Sequence, residues 1–222
     1  MKSRWWQMLF VFASIAILTG ISNGATTQVT LGQSNPSQVL FTNMGSDSAS
    51  MSFTGTCGSN PDCLSGPGYY ASNGGTTNAG TYDMWITGGA PSLGSPAGGV
   101  YPVNMDGATI NFTFGYASSF LDGTVTLDSI TGGTNLPRFI GGLYITSTNI
   151  PGFINGEYLD VDFNANLGSN PLIDDVYAGN APSTTGPLSS GEFAATPEPS
   201  SIALFGSGIL GLGAALKRKL LI

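Results

Sequence analysis

The chain has 222 residues, of which 33 are glycine and only 9% are charged, and its formal net charge is −7. It contains no histidine, and five of its six lysine and arginine residues lie within the first four or the last six positions. The stretch from residue 25 to 196 therefore carries one cation against 12 carboxylates, a formal charge of about −11. A surface of this sign repels phosphate backbones, which argues against nucleic acid as a partner.

The first 24 residues have the pattern of a secretory signal peptide. Lys2 and Arg4 precede a largely apolar stretch from residue 5 to 18, and small or polar residues follow. This order of charged, apolar and small-residue segments is typical of export signals. Cleavage after Gly24 puts Ser22 and Gly24 at the small-residue positions. Cleavage after Ala25 is a second option, and an uncleaved N-terminal anchor is the alternative.

Two cysteines, Cys57 and Cys63, are separated by five residues. Export into an oxidising compartment favours a disulfide between them. Because the loop that it closes is short, its expected contribution to stability is only about 2 kcal/mol. A metal site is the alternative, but two thiols without any histidine supply only half of a ligand set.

The body, from residue 25 to 179, is predicted to be all-β. Alternation of apolar and polar residues, which gives a strand one buried and one solvated face, recurs along the body and favours a single β-sandwich. A jelly roll or a barrel is the alternative, and no segment of the body has a convincing helical period. The predicted strands are residues 28–31, 38–42, 49–54, 81–87, 108–115, 123–130, 139–146 and 157–167.

Glycine and proline mark the predicted interruptions. Residues 55–80 and 88–99 are read as long loops, and Gly141-Gly142 is expected to be a bulge or a close approach of two strands. Residues 180–196 are rich in Pro, Ser, Thr and Gly and show no period. This composition predicts a flexible linker that holds the body away from the membrane.

The body offers little to catalysis, because it has neither histidine nor lysine. That composition removes histidine-based triads and lysine Schiff bases. Paired carboxylates could hydrolyse glycosides, but no spacing selects a pair. We therefore expect no enzymatic activity and no obligatory cofactor.

Four carboxylates are the candidate metal ligands. Asp160 and Asp162 alternate with apolar residues, and Asp174 and Asp175 follow a few positions later. The first interpretation of Asp160 and Asp162 is the solvated face of a strand. The second is a Ca²⁺ site that all four carboxylates share, because calcium prefers oxygen ligands.

Trp85 is the candidate ligand-binding residue, since it is the only tryptophan outside the signal peptide. On an alternating strand such a residue usually belongs to the core or its edge. The other interpretation is a platform on which a sugar ring stacks, completed by Tyr82, Tyr101 or Tyr69-Tyr70.

The C-terminal residues 197–222 combine a short polar motif, an apolar run and a basic end. The motif is Pro197, Glu198 and Pro199. Residues 200–216 are uncharged and as a helix rise about 25 Å, close to the thickness of the bilayer core. Cations resist translocation and hold the end of such a segment at the cytoplasmic face. Here they are Lys217, Arg218 and Lys219.

These parts in this order resemble the PEP-CTERM sorting signal of Gram-negative bacteria, over about 26 of the 222 residues. The resemblance implies recognition by exosortase, a protease-transpeptidase of the inner membrane. This enzyme would cut near the Pro-Glu-Pro motif and release or transfer the protein to the surface, often in bacteria that make exopolysaccharide. A permanent single-span anchor without processing is the alternative.

We accordingly expect a non-enzymatic exported protein that is transiently anchored in the inner membrane and then resides at the cell surface or in the extracellular matrix. Its role in biofilm and its association with exopolysaccharide are implied by the resemblance alone. A carbohydrate- or calcium-binding module is the alternative function, and a glycoside-active enzyme is a further alternative.

Overall fold

The structure, a computed structural model, describes residues 27–34, 36–71 and 78–195. Within these ranges the chain forms fourteen β-strands and one short helix, α1 (Ile173–Tyr177), so the predicted all-β class is confirmed. The strands are β1 (Thr27–Leu31), β2 (Val39–Gly45), β3 (Ser48–Phe53), β4 (Gly55–Cys57), β5 (Asn60–Ala71), β6 (Asn78–Thr87), β7 (Ser92–Leu93), β8 (Val100–Asn104), β9 (Thr109–Tyr116), β10 (Ser119–Thr131), β11 (Arg138–Thr148), β12 (Tyr158–Ala165), β13 (Ser183–Gly186) and β14 (Leu188–Ala195).

Both predicted export segments lie outside the described residues. They are the signal peptide at 1–24 and the C-terminal signal, with its motif at 197–199, membrane helix at 200–216 and basic tail at 217–219. Of the residues that the structure describes, none belongs to a helix long and apolar enough to cross a bilayer.

Eight strands form a closed antiparallel barrel in the order β1-β5-β6-β9-β10-β11-β12-β14, and β14 returns to β1. β1 pairs with β5 along one edge and with β14 along the other, so that Thr27 lies opposite Ala195. β10 likewise pairs with both β9 and β11. The predicted β-sandwich is therefore corrected to a barrel, because the first and last strands of the sheet hydrogen-bond to each other.

The remaining strands extend the sheet from the later half of β10. β9 pairs with residues 119–125 of β10, and β8 occupies the same edge at residues 129–131. From β8 the antiparallel order continues through β7, β3, β2 and β13. β10 shifts register between Leu127 and Ser129, opposite Gly141. A Cβ on Gly141 would overlap the carbonyl oxygen of Thr126, which confirms the close approach predicted there.

Aromatic rings fill the barrel interior. Phe112 of β9 and Phe193 of β14 extend from opposite walls until their ring centroids are 4.6 Å apart. Phe139 of β11 stacks on Phe163 of β12 at 4.6 Å and on Phe41 of β2 at 6.1 Å, which joins the barrel to its extension. The interior is therefore a packed core, and ligand-binding groups have to be sought at the barrel ends and on the outer surface.

The predicted loop at 55–80 is wrong, because most of it is the long strand β5 and the start of β6. Glycines within β5 make room for rings from other strands of the barrel. A Cβ on Gly66 would lie 2.9 Å from the ring of Tyr82, and one on Gly68 would lie 2.8 Å from the ring of Phe114. These glycines indicate close packing of rings against a strand and not a flexible loop.

This packing predicts opposite effects for two glycine substitutions in strands. Gly68→Ala should lower the free energy of unfolding by about 1–3 kcal/mol, because the new methyl group has to displace a buried ring. Gly115→Ala should be neutral or slightly stabilising, since no atom lies within 4 Å of its Cβ and alanine loses less backbone entropy than glycine. Urea denaturation of both variants measures the difference, and equal losses would contradict the packing argument.

The predicted linker at 180–196 is also wrong. Residues 183–186 form β13 beside β2, and residues 188–195 form β14 between β12 and β1. The alternation was hidden because one core position of β14 is Gly191, where a Cβ would lie 2.8 Å from the Cβ of Phe163. The folded body therefore extends to Ala195.

Candidate functional site

Both ends of the described body leave the barrel at the same place, which we call the terminal end. Thr27 and Ala195 are partners in the β1–β14 ladder. The connection between β11 and β12 lies against them: the Thr27 hydroxyl donates to the Pro151 carbonyl at 3.5 Å, and the Tyr70 hydroxyl donates to the same oxygen at 3.3 Å. A Cβ on Gly152 would overlap the Thr27 side chain. The connection is therefore held firmly at the point where the chain exits.

Little chain separates the barrel from the C-terminal signal. β14 ends at Ala195, Pro197 follows two positions later, and the apolar run is under way at Ile202. Seven residues span at most about 25 Å when fully extended. A cut near the Pro-Glu-Pro motif would consequently remove the apolar run and leave every barrel strand in place.

Exposed apolar side chains gather at the terminal end, and we call Phe120, Tyr144, Ile154 and Tyr158 the terminal cluster. Tyr144 and Tyr158 are partners in the β11–β12 ladder, with ring centroids 4.8 Å apart. Ile154 and Tyr158 are 68% and 75% exposed. The Phe120 amide donates to the Asn149 side chain at 2.7 Å, which fixes Phe120 beside the same connection.

Sequence reasoning missed this cluster. The available signal was that Tyr144 and Tyr158 occupy the solvated positions of their alternating strands, where polar residues are expected. That signal did not show that the two strands are neighbours.

The other end of the barrel carries a surface pocket of about 470 Å³. It lies where the connections after β10 and β12 meet, beside α1. The Leu167 amide donates to the Asn135 carbonyl at 2.8 Å, which joins those connections. The polar residues that line the pocket include Asn135, Asn170, Asp175 and Asn180. Amide and carboxylate groups of this kind are suited to bind the hydroxyl groups of a sugar.

The predicted candidate Asp162 lies on the outer face of β12 and is paired with Arg138. The Arg138 guanidinium donates to both carboxylate oxygens of Asp162, at 2.8 and 2.5 Å, and these hydrogen bonds raise the pKa of Arg138. Asp160 is exposed two positions earlier on the same face. Both side chains are partly or fully solvated, in agreement with the first interpretation of this strand.

Asp174 and Asp175 belong to α1, and their carboxylates accept hydrogen bonds from other groups. The Tyr101 hydroxyl donates to Asp174 at 2.8 Å, as does the Gly133 amide at 3.1 Å. Burial raises the pKa of Tyr101, and its hydrogen bond to the Asp174 carboxylate raises it further. The Leu172 amide donates to the Asp175 carboxylate at 3.2 Å, which begins the helix.

The four carboxylates are not brought together as a metal site. Among the residues that the structure describes, the group with three close potential ligands is Cys57, Cys63 and Asp83, and its two sulfurs are already bonded to each other. The calcium hypothesis stays a prediction. A calcium site formed by these residues would require Asp162 to leave Arg138 and Asp174 to leave Tyr101.

We expect millimolar Ca²⁺ to leave the melting temperature of the mature protein unchanged, because three of the four carboxylates already accept hydrogen bonds. Thermal denaturation with and without Ca²⁺ tests this. A rise in melting temperature that Asp162→Asn removes would contradict the expectation and establish the site.

The predicted disulfide between Cys57 and Cys63 is confirmed, with the two Cα atoms 5.7 Å apart. Cys63 lies on β5 directly opposite Trp85 of β6, on the outer face of the barrel. Trp85 is partly buried there, whereas Tyr70, Tyr82 and Tyr101 are in the core. Tyr69 is 40% exposed, but its ladder partner is Ala79, six positions along β6 from Trp85. These tyrosines therefore do not complete a sugar platform beside Trp85, which remains a single ligand-binding candidate.

Reduction of the disulfide should lower the free energy of unfolding by about 2 kcal/mol, because the loop that it closes is short. It should also increase the fluorescence of the neighbouring Trp85, since a disulfide quenches indole emission. Urea denaturation of the mature protein, followed by tryptophan fluorescence with and without reductant, measures both effects. An unchanged folded-state emission would place the disulfide away from Trp85.

The comparisons with known proteins identify the C-terminal segment. A family model described as the PEP-CTERM protein-sorting motif matches residues 195–219. No curated protein and no solved structure matches the chain. The match begins at the last residue of β14 and includes the Pro-Glu-Pro motif, the apolar run and the basic residues. The chain therefore carries a PEP-CTERM protein-sorting motif, and this motif implies an exported protein that is sorted and processed by exosortase.

Proposed function

We propose that exosortase releases this protein as an intact barrel, which then serves as a non-enzymatic component of the cell surface or extracellular matrix and associates with exopolysaccharide. The observation that carries the proposal is the position of the sorting motif directly behind β14. Processing at that position separates the membrane segment from the body without removing any strand that closes the barrel.

The absence of catalytic activity is supported by the chemistry of the body. It has no histidine and no lysine to act as a base or nucleophile. The carboxylates of Asp162, Asp174 and Asp175 are engaged in hydrogen bonds. A glycosidase needs two carboxyl groups that flank one bond. Asp162 has Glu192 as its ladder partner on β14, but the Asp162 carboxylate is already paired with Arg138.

The negative charge of the body indicates which kind of polysaccharide it can bind. The body carries about −11, and its single cation, Arg138, is neutralised by Asp162. Anionic polysaccharides would be repelled by this surface, and more strongly at low ionic strength. We therefore propose that the partner is an uncharged polysaccharide.

Fractionation of cells with and without the sorting enzyme tests the proposal. With the enzyme, the protein should be found in the surface and medium fractions and should sediment with uncharged exopolysaccharide. Without the enzyme, the precursor should stay in the inner membrane. A protein that reaches the surface equally well without the enzyme would overturn the proposal.

The polar pocket favours a second candidate function, that of a carbohydrate-binding module. A glycan array probed with the mature protein tests it. Loss of a specific signal in Asn180→Ala, with the signal kept in Trp85→Ala, would assign binding to the pocket. The reverse pattern would assign it to the outer face at Trp85, and no specific signal would remove this candidate.

A further inference from the structure

We propose that, before release, the terminal end of the barrel rests on the lipid–water interface of the membrane through the terminal cluster of Phe120, Tyr144, Ile154 and Tyr158. This inference rests on the proposed function, because it requires the C-terminal segment to be inserted in the membrane while the body is folded.

The first argument is the location of the cluster. Ile154 belongs to the β11–β12 connection, which is bonded to Thr27 through Pro151. Thr27 in turn is the ladder partner of Ala195, from which the chain continues toward its membrane segment. The exposed apolar side chains are therefore at the end of the barrel from which the chain continues toward its C-terminal segment.

The second argument is the length of the tether. Ala195 is at most about 25 Å from Ile202 along an extended chain. A tether this short creates a high effective concentration of one surface at the other, so a weak apolar contact suffices to be well populated. A long flexible linker, as the composition of residues 180–196 had suggested, would have weakened this effect.

The third argument is the chemistry of the side chains. Tyrosine is enriched at membrane interfaces, because its ring enters the apolar region while its hydroxyl stays hydrated. Tyr144 and Tyr158 form an adjoining pair that the barrel core does not use. Phe120 and Ile154 add exposed apolar surface at the same end of the barrel.

The charged groups near the terminal cluster indicate which kind of lipid it can contact. The ionisable groups near the cluster are the carboxylates of Asp122, Glu157 and Asp160, which lie within two positions of cluster members along the chain. Arg138, the one cation among the described residues, begins β11 at the opposite end of the barrel and is paired with Asp162. Anionic headgroups would be repelled, so the occupant is a zwitterionic surface, and anionic lipid should weaken the contact.

Site-directed spin labelling of the precursor tests this inference. The precursor, purified from cells without the sorting enzyme, is inserted into phosphatidylcholine vesicles with a label at Ile154→Cys. Leu136→Cys is the matched control, because Leu136 is a 53% exposed aliphatic residue in the β10–β11 connection at the opposite end. The native cysteines do not take up label, since they are joined in the disulfide.

A water-soluble relaxation agent should reach the label at 154 several-fold less than the label at 136, and phosphatidylglycerol in the vesicles should reduce this difference. Replacement of both tyrosines, Tyr144→Ser with Tyr158→Ser, should restore access of the relaxation agent to the label at 154. Equal access at 154 and 136 in vesicles that carry the precursor would overturn the inference, as would protection that persists without the tyrosines.

Two further outcomes separate the inference from its premises. A precursor that does not float with the vesicles would remove the membrane anchor, and with it both the proposed function and this inference. Protection at 154 in the released protein without lipid, growing with protein concentration, would identify a second copy of the chain as the occupant and overturn the lipid contact alone.

Discussion

A chain that ends at residue 187 should fail to form the barrel, whereas a chain that ends at residue 195 should fold cooperatively. The difference is β14, which lies between β12 and β1 and joins the two ends of the sheet. Its removal leaves two long open edges and takes Phe193 away from Phe112 in the middle of the core. Loss of one buried phenylalanine alone costs about 3–5 kcal/mol, a large share of the 5–15 kcal/mol that stabilises a typical domain.

Circular dichroism and thermal denaturation of the two chains, both beginning at residue 25, measure this effect. The longer chain should show one sharp transition and the shorter chain none. A cooperative transition of similar midpoint in the shorter chain would mean that residues 188–195 act as a linker after all, and that the barrel closes without them.

Substitution of the whole motif, Pro197→Ala with Glu198→Ala and Pro199→Ala, should abolish processing without changing the stability of the barrel. The three residues follow Ala195 and belong to the segment that the sorting-motif family model matches. The variant should accumulate in the inner membrane with its tail intact. Immunoblots of membrane and medium fractions measure retention, and thermal denaturation measures stability.

Ser200→Ala with Ser201→Ala is the matched control, since it changes adjacent polar residues outside the tripeptide. This control should be processed like the natural chain. Normal release of the motif variant would show that the tripeptide is not what the sorting enzyme recognises, and a lower melting temperature would show that the motif contributes to the fold.

The strands that sequence reasoning predicted correctly are those whose core positions hold large apolar residues. β9 places Ile110, Phe112 and Phe114 inward, and β12 does the same with Leu159, Val161 and Phe163. β5 and β14 were not predicted, because glycine occupies some of their inner positions and side chains from other strands fill the space. Alternation within one segment cannot reveal a side chain that comes from another segment.

Closure of the barrel could not be predicted for a related reason. Pairing of β1 with β14 joins the two ends of the body, and neither strand has a local feature that specifies its partner. The short α1 was missed because five residues are too few to show a helical period.

The candidate sites also differ in whether contiguous sequence could reveal them. The sorting motif could be recognised from sequence, because its parts are contiguous and each has a direct physical meaning. The carboxylates of Asp162 and Asp174 looked available in sequence, but Arg138 and Tyr101 reach them from other strands. The terminal cluster likewise depends on the neighbouring positions of β11 and β12.

Intact-mass analysis of the protein from envelope and medium, in cells that possess the sorting enzyme, tests the central claim most directly. The account predicts a polypeptide that begins after Gly24 or Ala25, ends between residues 195 and 199, and carries the oxidised Cys57–Cys63 pair. A mature polypeptide that still carries Ile222 would contradict it.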